Sequence, residues 1–243
     1  MLDVIVYFSK KAVECCMVSK KRIVIITFLT FLSLILVGTF EGICAIIIML
    51  IYIILYISYG MQFTREVING GQSLPKFDFR SIPLGIKATT VFFVYGSIQT
   101  LFLFVISRLF NFPTFDFEEF FLKLPETIHL IYTHNPVSSI LFFLLSIITL
   151  YIGVFFMEIA LAQLADGGKF IDAFNLKLIK GYIDKIGWVN YATDYTAVLL
   201  ILVVLESFEF VPVFSVVMVT LSYSLIFIVE YNAIGLIFRK TKT

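Results

Sequence analysis

The sequence predicts an all-α fold: a polytopic integral membrane bundle of six transmembrane helices, with an N-terminal interfacial amphipathic helix and interfacial loop helices. Of the 243 residues, 60% are hydrophobic and only 14% are charged, a balance that a soluble fold of this size cannot bury. Six apolar stretches each approach the roughly 20 residues that a helix needs to cross a hydrocarbon core. The basic residues fall in alternate connections between these stretches, as membrane topology requires.

The apolar stretches define the predicted spans, and the whole chain, residues 1–243, is expected to form a single transmembrane domain. The approximate limits of the spans are residues 23–40, 43–62, 88–107, 136–158, 191–209 and 212–237.

Residues 1–20 are predicted to form the interfacial helix, because their apolar and charged side chains separate onto two helical faces. A segment of ordinary soluble helix is the alternative. The apolar face carries Leu2, Ile5, Phe8, Ala12, Val13 and Cys16.

The distribution of basic residues predicts the orientation. Sixteen of the 18 Lys and Arg residues lie before the first span, after the last span, or in the connections after spans two and four. Since Lys and Arg favour the cytoplasmic side, we expect a multi-pass protein of the cell membrane with both termini in the cytoplasm. The loop from 107 to 135 is then external. Its Phe residues and carboxylates suit an interfacial helix, and a binding lid is the alternative.

The two cytoplasmic connections resemble each other when one is shifted by 97 positions. The hypothesis that follows is a pair of parallel repeats, residues 43–107 and 136–209, each with a Gly-Gly turn and an amphipathic segment between two helices. Chance similarity in a biased composition is the alternative. The shift places Gly70 and Gly71 on Gly167 and Gly168, and Phe77, Asp78 and Phe79 on Phe174, Asn175 and Leu176.

Each pair of glycines is interpreted as the end of a long helix, since Gly accepts the left-handed backbone that often ends one. An anion-binding loop is the alternative, because Gly also permits close approach of the backbone to a ligand.

The connections after spans two and four also carry a recognisable motif. Its residues are Tyr59-Gly60, Arg65, Gly70, Leu74-Pro75, Phe77-Asp78-Phe79 and Gly85-Ile86-Lys87, with Gly168, Ala173-Phe174 and Asn175 in the second connection. In these residues the chain resembles the largely archaeal membrane proteins grouped as domain of unknown function 4013. The resemblance extends over nearly the whole chain, although Gly71-Gln72-Ser73 stands where an acidic residue is expected before the Leu-Pro pair. It implies a membrane fold and location, and it implies no activity.

The sequence contains no recognisable catalytic motif. It has no Gly-x-Ser-x-Gly, no phosphate-binding Gly-rich loop followed by Lys and Ser or Thr, and no His-Glu-x-x-His. We therefore predict a protein that is not an enzyme and needs no cofactor. Glu126 and His129 have the spacing of some metal-binding helices, but one such pair on a loop is better explained as ordinary interfacial polar residues, and no metal site is predicted.

Two acidic residues, Glu158 and Glu230, lie inside predicted spans, each eight or nine residues from the next charged residue toward the cytoplasm. At about 1.5 Å per residue this depth is roughly 12 Å, which requires protein or water partners. We expect both to face the bundle interior on neighbouring helices, in a cytoplasm-facing polar cavity with Gln163 and Asn232. Snorkelling or a single interhelical hydrogen bond is the alternative.

Intramembrane acids without a catalytic motif favour transport, lipid handling or membrane organisation. A second hypothesis is a membrane anchor or assembly subunit whose basic, aromatic cytoplasmic loops dock a soluble partner. A third is an intramembrane enzyme that uses Glu158 or Glu230 as an acid or base. The lipid bilayer is the expected partner, with a soluble cytosolic protein or a second copy as further hypotheses. A net charge of +1 gives no reason to expect nucleic acid.

Overall fold

The computed structural model describes residues 1–39, 43–110, 136–207 and 215–242. Within these ranges every regular element is helical. Residues 111–135 of the predicted external loop, with Glu126 and His129, lie outside the described residues.

Eight α-helices and two short 3-10 turns form the described part of the chain. The helices are α1 (Leu2–Val18), α2 (Lys20–Thr39), α3 (Ile43–Ile68), α4 (Ile82–Leu109), α5 (Pro136–Ala165), α6 (Leu176–Ile186), α7 (Trp188–Ser207) and α8 (Ser215–Arg239), and the 3-10 turns are Phe79–Ser81 and Phe170–Phe174.

Five of the described helices, α3, α4, α5, α7 and α8, are long and apolar enough to cross a membrane. The prediction of a multi-pass helical membrane protein is therefore confirmed. Helix α2 covers the predicted first span, so the total of six spans stays a prediction. Helices α3 and α5 continue beyond their predicted limits, to Ile68 and Ala165. Their last turns carry polar side chains, which a search for apolar residues leaves out.

The chain divides into two compact units, residues 1–91 with 158–243, and residues 92–157. In the first unit α8 is central, because it packs against α1, α2, α3, α6 and α7. The side chains of Phe227, Ile228 and Phe238 on α8 are fully buried. In the second unit α4 and α5 approach closely at Gly153, where a Cβ would collide with the side chain of Gln99.

Several helix ends of the first unit meet at one place, which we call the basic end. The backbone amide of Leu74 donates to the hydroxyl of Ser19, between α1 and α2, over 3.0 Å. After α8, the ammonium of Lys240 lies 2.5 Å from the carboxylate of Asp194 on α7. That of Lys242 lies 2.5 Å from the carboxylate of Asp166, directly after α5. These contacts join the segments that carry most of the basic residues.

Helices α3 and α5 end at the two Gly-Gly pairs with the same geometry. The first glycine of each pair has a left-handed backbone, with φ of 95° at Gly70 and 99° at Gly167. In each pair the two amides donate to carbonyls three and five residues earlier, over 2.9 to 3.2 Å. This hydrogen bonding satisfies carbonyls that a helix end leaves unpaired. The glycines therefore end the helices, as interpreted from the sequence.

The two connections also share a capping residue. Asp78 accepts a hydrogen bond from the amide of Arg80, and Asn175, its match under the 97-residue shift, accepts one from the amide of Leu178. The segments after the caps differ. Helix α4 runs on without a break, whereas α6 has 11 residues and ends at Gly187, where φ is 90°. A separate short helix thus follows only the second turn, and the parallel repeat stays a prediction.

Helix α1 packs within the first unit through part of its predicted apolar face, including Phe8 and Ala12. Phe8, Ala12 and Cys15 are buried, and α1 contacts α7, α8 and α2. Leu2 and Val13, assigned by the sequence to the same apolar face, are 74% and 55% exposed. The helix therefore has one side covered by protein and a second apolar side that protein leaves uncovered.

Candidate functional site

Glu158 and Glu230 line one cavity, of about 20 Å³, between α5, α7 and α8. Such a volume holds about one water molecule. The two carboxyl groups share the cavity with the rings of Tyr191 and Tyr195 and with aliphatic side chains. Oε2 of Glu158 is buried and has no hydrogen-bond partner among the described residues. The two acids thus face a small, mainly apolar cavity.

The other two residues of the predicted polar cavity lie elsewhere. Asn232 lines a separate cavity of about 370 Å³ near α1 and the Gly70-Gly71 turn. Gln163 is buried, and its side chain covers Gly168. Helix geometry explains the separation, because residues two apart on a helix, such as Glu230 and Asn232, point about 200° apart.

The Leu-Pro motif forms hydrogen bonds with the helices around it. Leu74 is fully buried, and the hydroxyl of Tyr59 donates to the carbonyl of Pro75 over 2.8 Å. The side chain of Gln62 donates to the carbonyl of Lys76 over 2.7 Å and accepts from the amide of Asp78 over 3.2 Å. The motif is therefore held against α3 and against the junction of α1 and α2.

The motif borders a charged cavity of about 430 Å³, the two-loop pocket. Arg65, Arg80 and Lys87 line it together with Glu66 and Asp78, and Gly167 and Gly168 of the second connection also line it. The Nε of Arg65 donates to the carbonyl of Ala165 over 2.6 Å. This bond satisfies a carbonyl at the end of α5 and joins the two connections. Three cations and two carboxylates make the two-loop pocket polar and nearly balanced in charge.

On the other side of the motif lies an apolar groove of about 670 Å³, the α2–α3 groove. Its walls are the stretch of α2 from Arg22 to Leu32, the stretch of α3 from Ile48 to Tyr59, and the motif segment from Pro75 to Phe79. Phe227 of α8 completes the lining, and its ring stacks on that of Tyr59 at 5.6 Å between centroids.

The sequence does not reveal this groove, because its lining comes from four separate segments of the chain, on α2, on α3, in the motif and on α8. The available signal was the pair Phe77 and Phe79 beside the Leu-Pro turn. The sequence predicts that these two aromatic side chains belong to a loop motif, and in the structure they line the groove.

The thiols of α1 are unreactive groups. Burial raises the pKa of the Cys15 thiol to about 11, and burial also raises the pKa of Cys16. Since the thiolate is the nucleophile, neither cysteine suits a nucleophilic role near neutral pH.

On the same helix a hydrogen bond between Lys11 and Glu14 raises the pKa of the lysine and lowers that of the glutamate.

The motif residues and both Gly-Gly turns lie in the stretch that matches a known family. A family profile described as "Protein of unknown function (DUF4013)" matches residues 42–222. The chain belongs to the DUF4013 family. This membership confirms the resemblance drawn from the motif residues, and the protein is a multi-pass membrane protein of a family with no assigned activity. Neither the curated proteins nor the solved structures gave a match.

The stretch that matches DUF4013 includes all of the two-loop pocket but only part of the α2–α3 groove. All residues that line the two-loop pocket fall within it. The α2 wall of the α2–α3 groove and Phe227 fall outside it.

Proposed function

We propose that this protein is a non-enzymatic, lipid-handling protein of the cell membrane, and that the α2–α3 groove takes up an acyl chain from the surrounding bilayer. The observation that carries the proposal is the groove itself. Its volume of about 670 Å³ falls within the range of roughly 300 to 1,000 Å³ typical of small-molecule sites.

The chemistry of the lining suits a hydrocarbon chain. The hydroxyl of Tyr52 donates to Thr30 over 3.3 Å, and that of Tyr56 donates to the carbonyl of Tyr223 over 3.5 Å. The phenol groups of these two tyrosines are thus satisfied by protein, and their rings present apolar surface to the groove.

The length of the groove matches one leaflet. Along α3 the groove runs from Tyr59 to Ile48, 11 residues or roughly 16 Å at 1.5 Å per residue. Half of a hydrocarbon core of about 30 Å is roughly 15 Å. A chain that entered at the basic end would therefore lie in the groove for the full depth of its own leaflet.

The groove is also open to the bilayer. Ile25, Leu29 and Ile51 are 57%, 52% and 54% exposed, so protein leaves this surface uncovered. A lipid chain in the concave groove contacts α2, α3 and the aromatic lining at once, whereas a chain beside a convex helix face contacts one helix. The larger contact area favours a lipid held in the groove over one exchanging with the bulk.

Lipid retention tests this proposal. The full-length protein, purified in detergent and measured by native mass spectrometry, is expected to retain phospholipid, and Leu29→Trp is expected to lose it because the indole fills the groove. Phe28→Trp is the matched control, since Phe28 is adjacent, is 60% exposed and lies outside the groove lining. Absence of retained lipid, or equal retention in the two variants, would reject the proposal.

The two-loop pocket favours a second function, the docking of a soluble partner. Arg80 and Lys87 line this pocket, both are exposed, and neither forms an ion pair with another described residue. Ile171 in the second connection is 78% exposed. A defined complex that survives purification with wild type and is lost with Arg80→Glu and Lys87→Glu would support docking. A monomeric wild-type protein with no second component would argue against it.

We further propose that the basic end faces the cytoplasm. The support is the gathering of 16 of the 18 Lys and Arg residues in the segments on one side of the predicted spans, which is the pattern of cytoplasmic connections.

A further inference from the structure

We infer that the α2–α3 groove selects an anionic phospholipid, whose phosphate headgroup lies between Arg22 and Lys76. This inference rests on the proposed acyl-chain site and adds the chemical class of its ligand. Both cations line the groove, Arg22 at the start of α2 and Lys76 in the connection that follows α3. They lie at its basic end, so a lipid with its headgroup at this end places its chain along α2 and α3.

Hydrogen bonds connect the backbone segments that carry the two cations. The carbonyl of Lys76 is held by Gln62, as described above, and the neighbouring amide of Leu74 donates to the hydroxyl of Ser19 over 3.0 Å. The carbonyl of the same Ser19 accepts a hydrogen bond from the amide of Arg22 over 2.9 Å. Ser19 therefore ties the segment of one cation to the segment of the other, which fixes the backbone positions on either side of the proposed headgroup.

The charge of the groove is uncompensated. Among the described residues no carboxylate lines it, and neither Arg22 nor Lys76 forms an ion pair. Two other cavities that contain cations differ from the groove, because carboxylates also line them: Glu66 and Asp78 line the two-loop pocket, and Glu14 lines the cavity beside α1. Among these cavities, this groove alone combines an apolar wall with cations and no acidic side chain.

A phospholipid with a net negative charge complements this arrangement. Arg presents several N–H donors in a planar fork that suits phosphate oxygens, and Lys supplies a compact positive charge. A zwitterionic lipid carries the same phosphate with a cationic group nearby, which weakens the attraction to both side chains. The proposed ligand is therefore the anionic class of bilayer phospholipid.

The test compares two lipids that differ only in headgroup. Full-length protein in neutral detergent is titrated, by native mass spectrometry, with phosphatidylglycerol and with phosphatidylcholine of identical acyl chains. At about 1 kcal/mol for each basic residue near an anionic lipid, selectivity is expected to be about fivefold per cation and roughly 25-fold for both. Arg22→Gln with Lys76→Gln should abolish the preference, because it weakens the binding of phosphatidylglycerol more than that of phosphatidylcholine.

Lys20→Gln with Lys21→Gln is the matched control, because it removes the same charge from the start of the same helix outside the groove. This variant should keep the preference for phosphatidylglycerol. Equal loss in the control would assign the preference to the general field of the basic end and overturn the inference. If the double groove variant fails to fold, Lys76→Gln alone serves, since this exposed side chain has no ion pair, and about a fivefold loss is expected.

The outcomes separate this inference from the proposal beneath it. Equal binding of the two lipids, both blocked by Leu29→Trp, would overturn the anionic preference and leave the lipid-handling function standing. Failure to bind either lipid would reject both. A dimer that binds neither lipid would assign the groove to a second copy of the chain and would also overturn the inference.

Discussion

Replacing Gly60 by alanine is expected to destabilise the protein, although alanine is the better helix former. The ring of Tyr231 on α8 lies directly over Gly60 on α3, and a Cβ at this position would overlap three of its atoms. The ring cannot easily retreat, because Tyr231 is 2% exposed. Its carbonyl also accepts a hydrogen bond from the hydroxyl of Thr64 over 3.0 Å. The added methyl group must therefore push α3 and α8 apart.

The magnitude follows from two opposing terms. Overpacking a buried site costs about 1 to 3 kcal/mol, and overlap with a rigid ring places Gly60 at the upper end. Replacing Gly by Ala within a helix contributes about 1 kcal/mol of stability, so the net loss is about 2 kcal/mol. Gly181 on α6 is the matched control, because nothing lies within 4 Å of a Cβ built there. Gly181→Ala should therefore stabilise by about 1 kcal/mol.

A double-mutant cycle isolates the contact. Unfolding free energies are measured by circular dichroism during denaturant titration of the full chain in micelles. In a Tyr231→Ala background the ring is absent, so Gly60→Ala should stabilise by about 1 kcal/mol, which gives a coupling of about 3 kcal/mol. A coupling below about 0.5 kcal/mol, the usual limit for independent sites, would refute the overlap as the cause. So would equal effects of Gly60→Ala and Gly181→Ala in the wild-type background.

Three further predictions concern the basic end and the topology. Lys240→Met should lower the free energy of unfolding by about 2 kcal/mol more than Asp194→Asn does, as measured by thermal unfolding. Lys240→Met leaves the carboxylate of Asp194, which is 6% exposed, without its partner, whereas Asp194→Asn leaves the ammonium of Lys240, which is 45% exposed and is hydrated. Equal losses in the two variants would contradict this prediction. The pKa of the Cys15 thiol is about 11 in the folded protein, above its ordinary value of 9.0, because burial favours the neutral thiol. This preference stabilises the folded state fully below pH 9, and the stabilisation is lost as the pH rises through about 11. Unfolding curves of wild type and Cys15→Ala should therefore differ in that window, and identical pH dependence would exclude the effect. On a background without native cysteines, an impermeant maleimide should label Glu119→Cys from outside and Lys177→Cys only after permeabilisation, and the reverse pattern would invert the topology.

The class of the protein and the local structure of its helix ends could be predicted from the sequence. The length of an apolar stretch and the position of Gly70 or Gly167 act within one helix or one turn, so their effect does not depend on distant residues. The match between Asp78 and Asn175 is local for the same reason, since each caps the turn that directly follows it. The limits of the spans were less accurate, because helices continue through polar residues once they pass the hydrocarbon core.

The candidate sites were only partly predictable. Equal depth suggested that Glu158 and Glu230 meet, and they line one cavity. Depth alone also grouped Asn232 with Glu230, although the helix points them in different directions. Residues at one depth share a site only when their helices are rotated toward each other, and depth contains no information about rotation.

A multi-pass helical membrane protein with two Gly-Gly turns and a family motif follows from the residues alone, because these features depend on composition and on neighbours along the chain. The residues alone do not show that Arg22, Tyr59 and Phe227 line one groove, or that the amide of Leu74 donates to the hydroxyl of Ser19. The helices themselves explain this difference. In helices such as α2 and α7 the apolar residues are not gathered on one face, so no amphipathic pattern marks the face that will pack. That face is chosen by the fit of side chains across the bundle, as where the ring of Tyr231 meets Gly60.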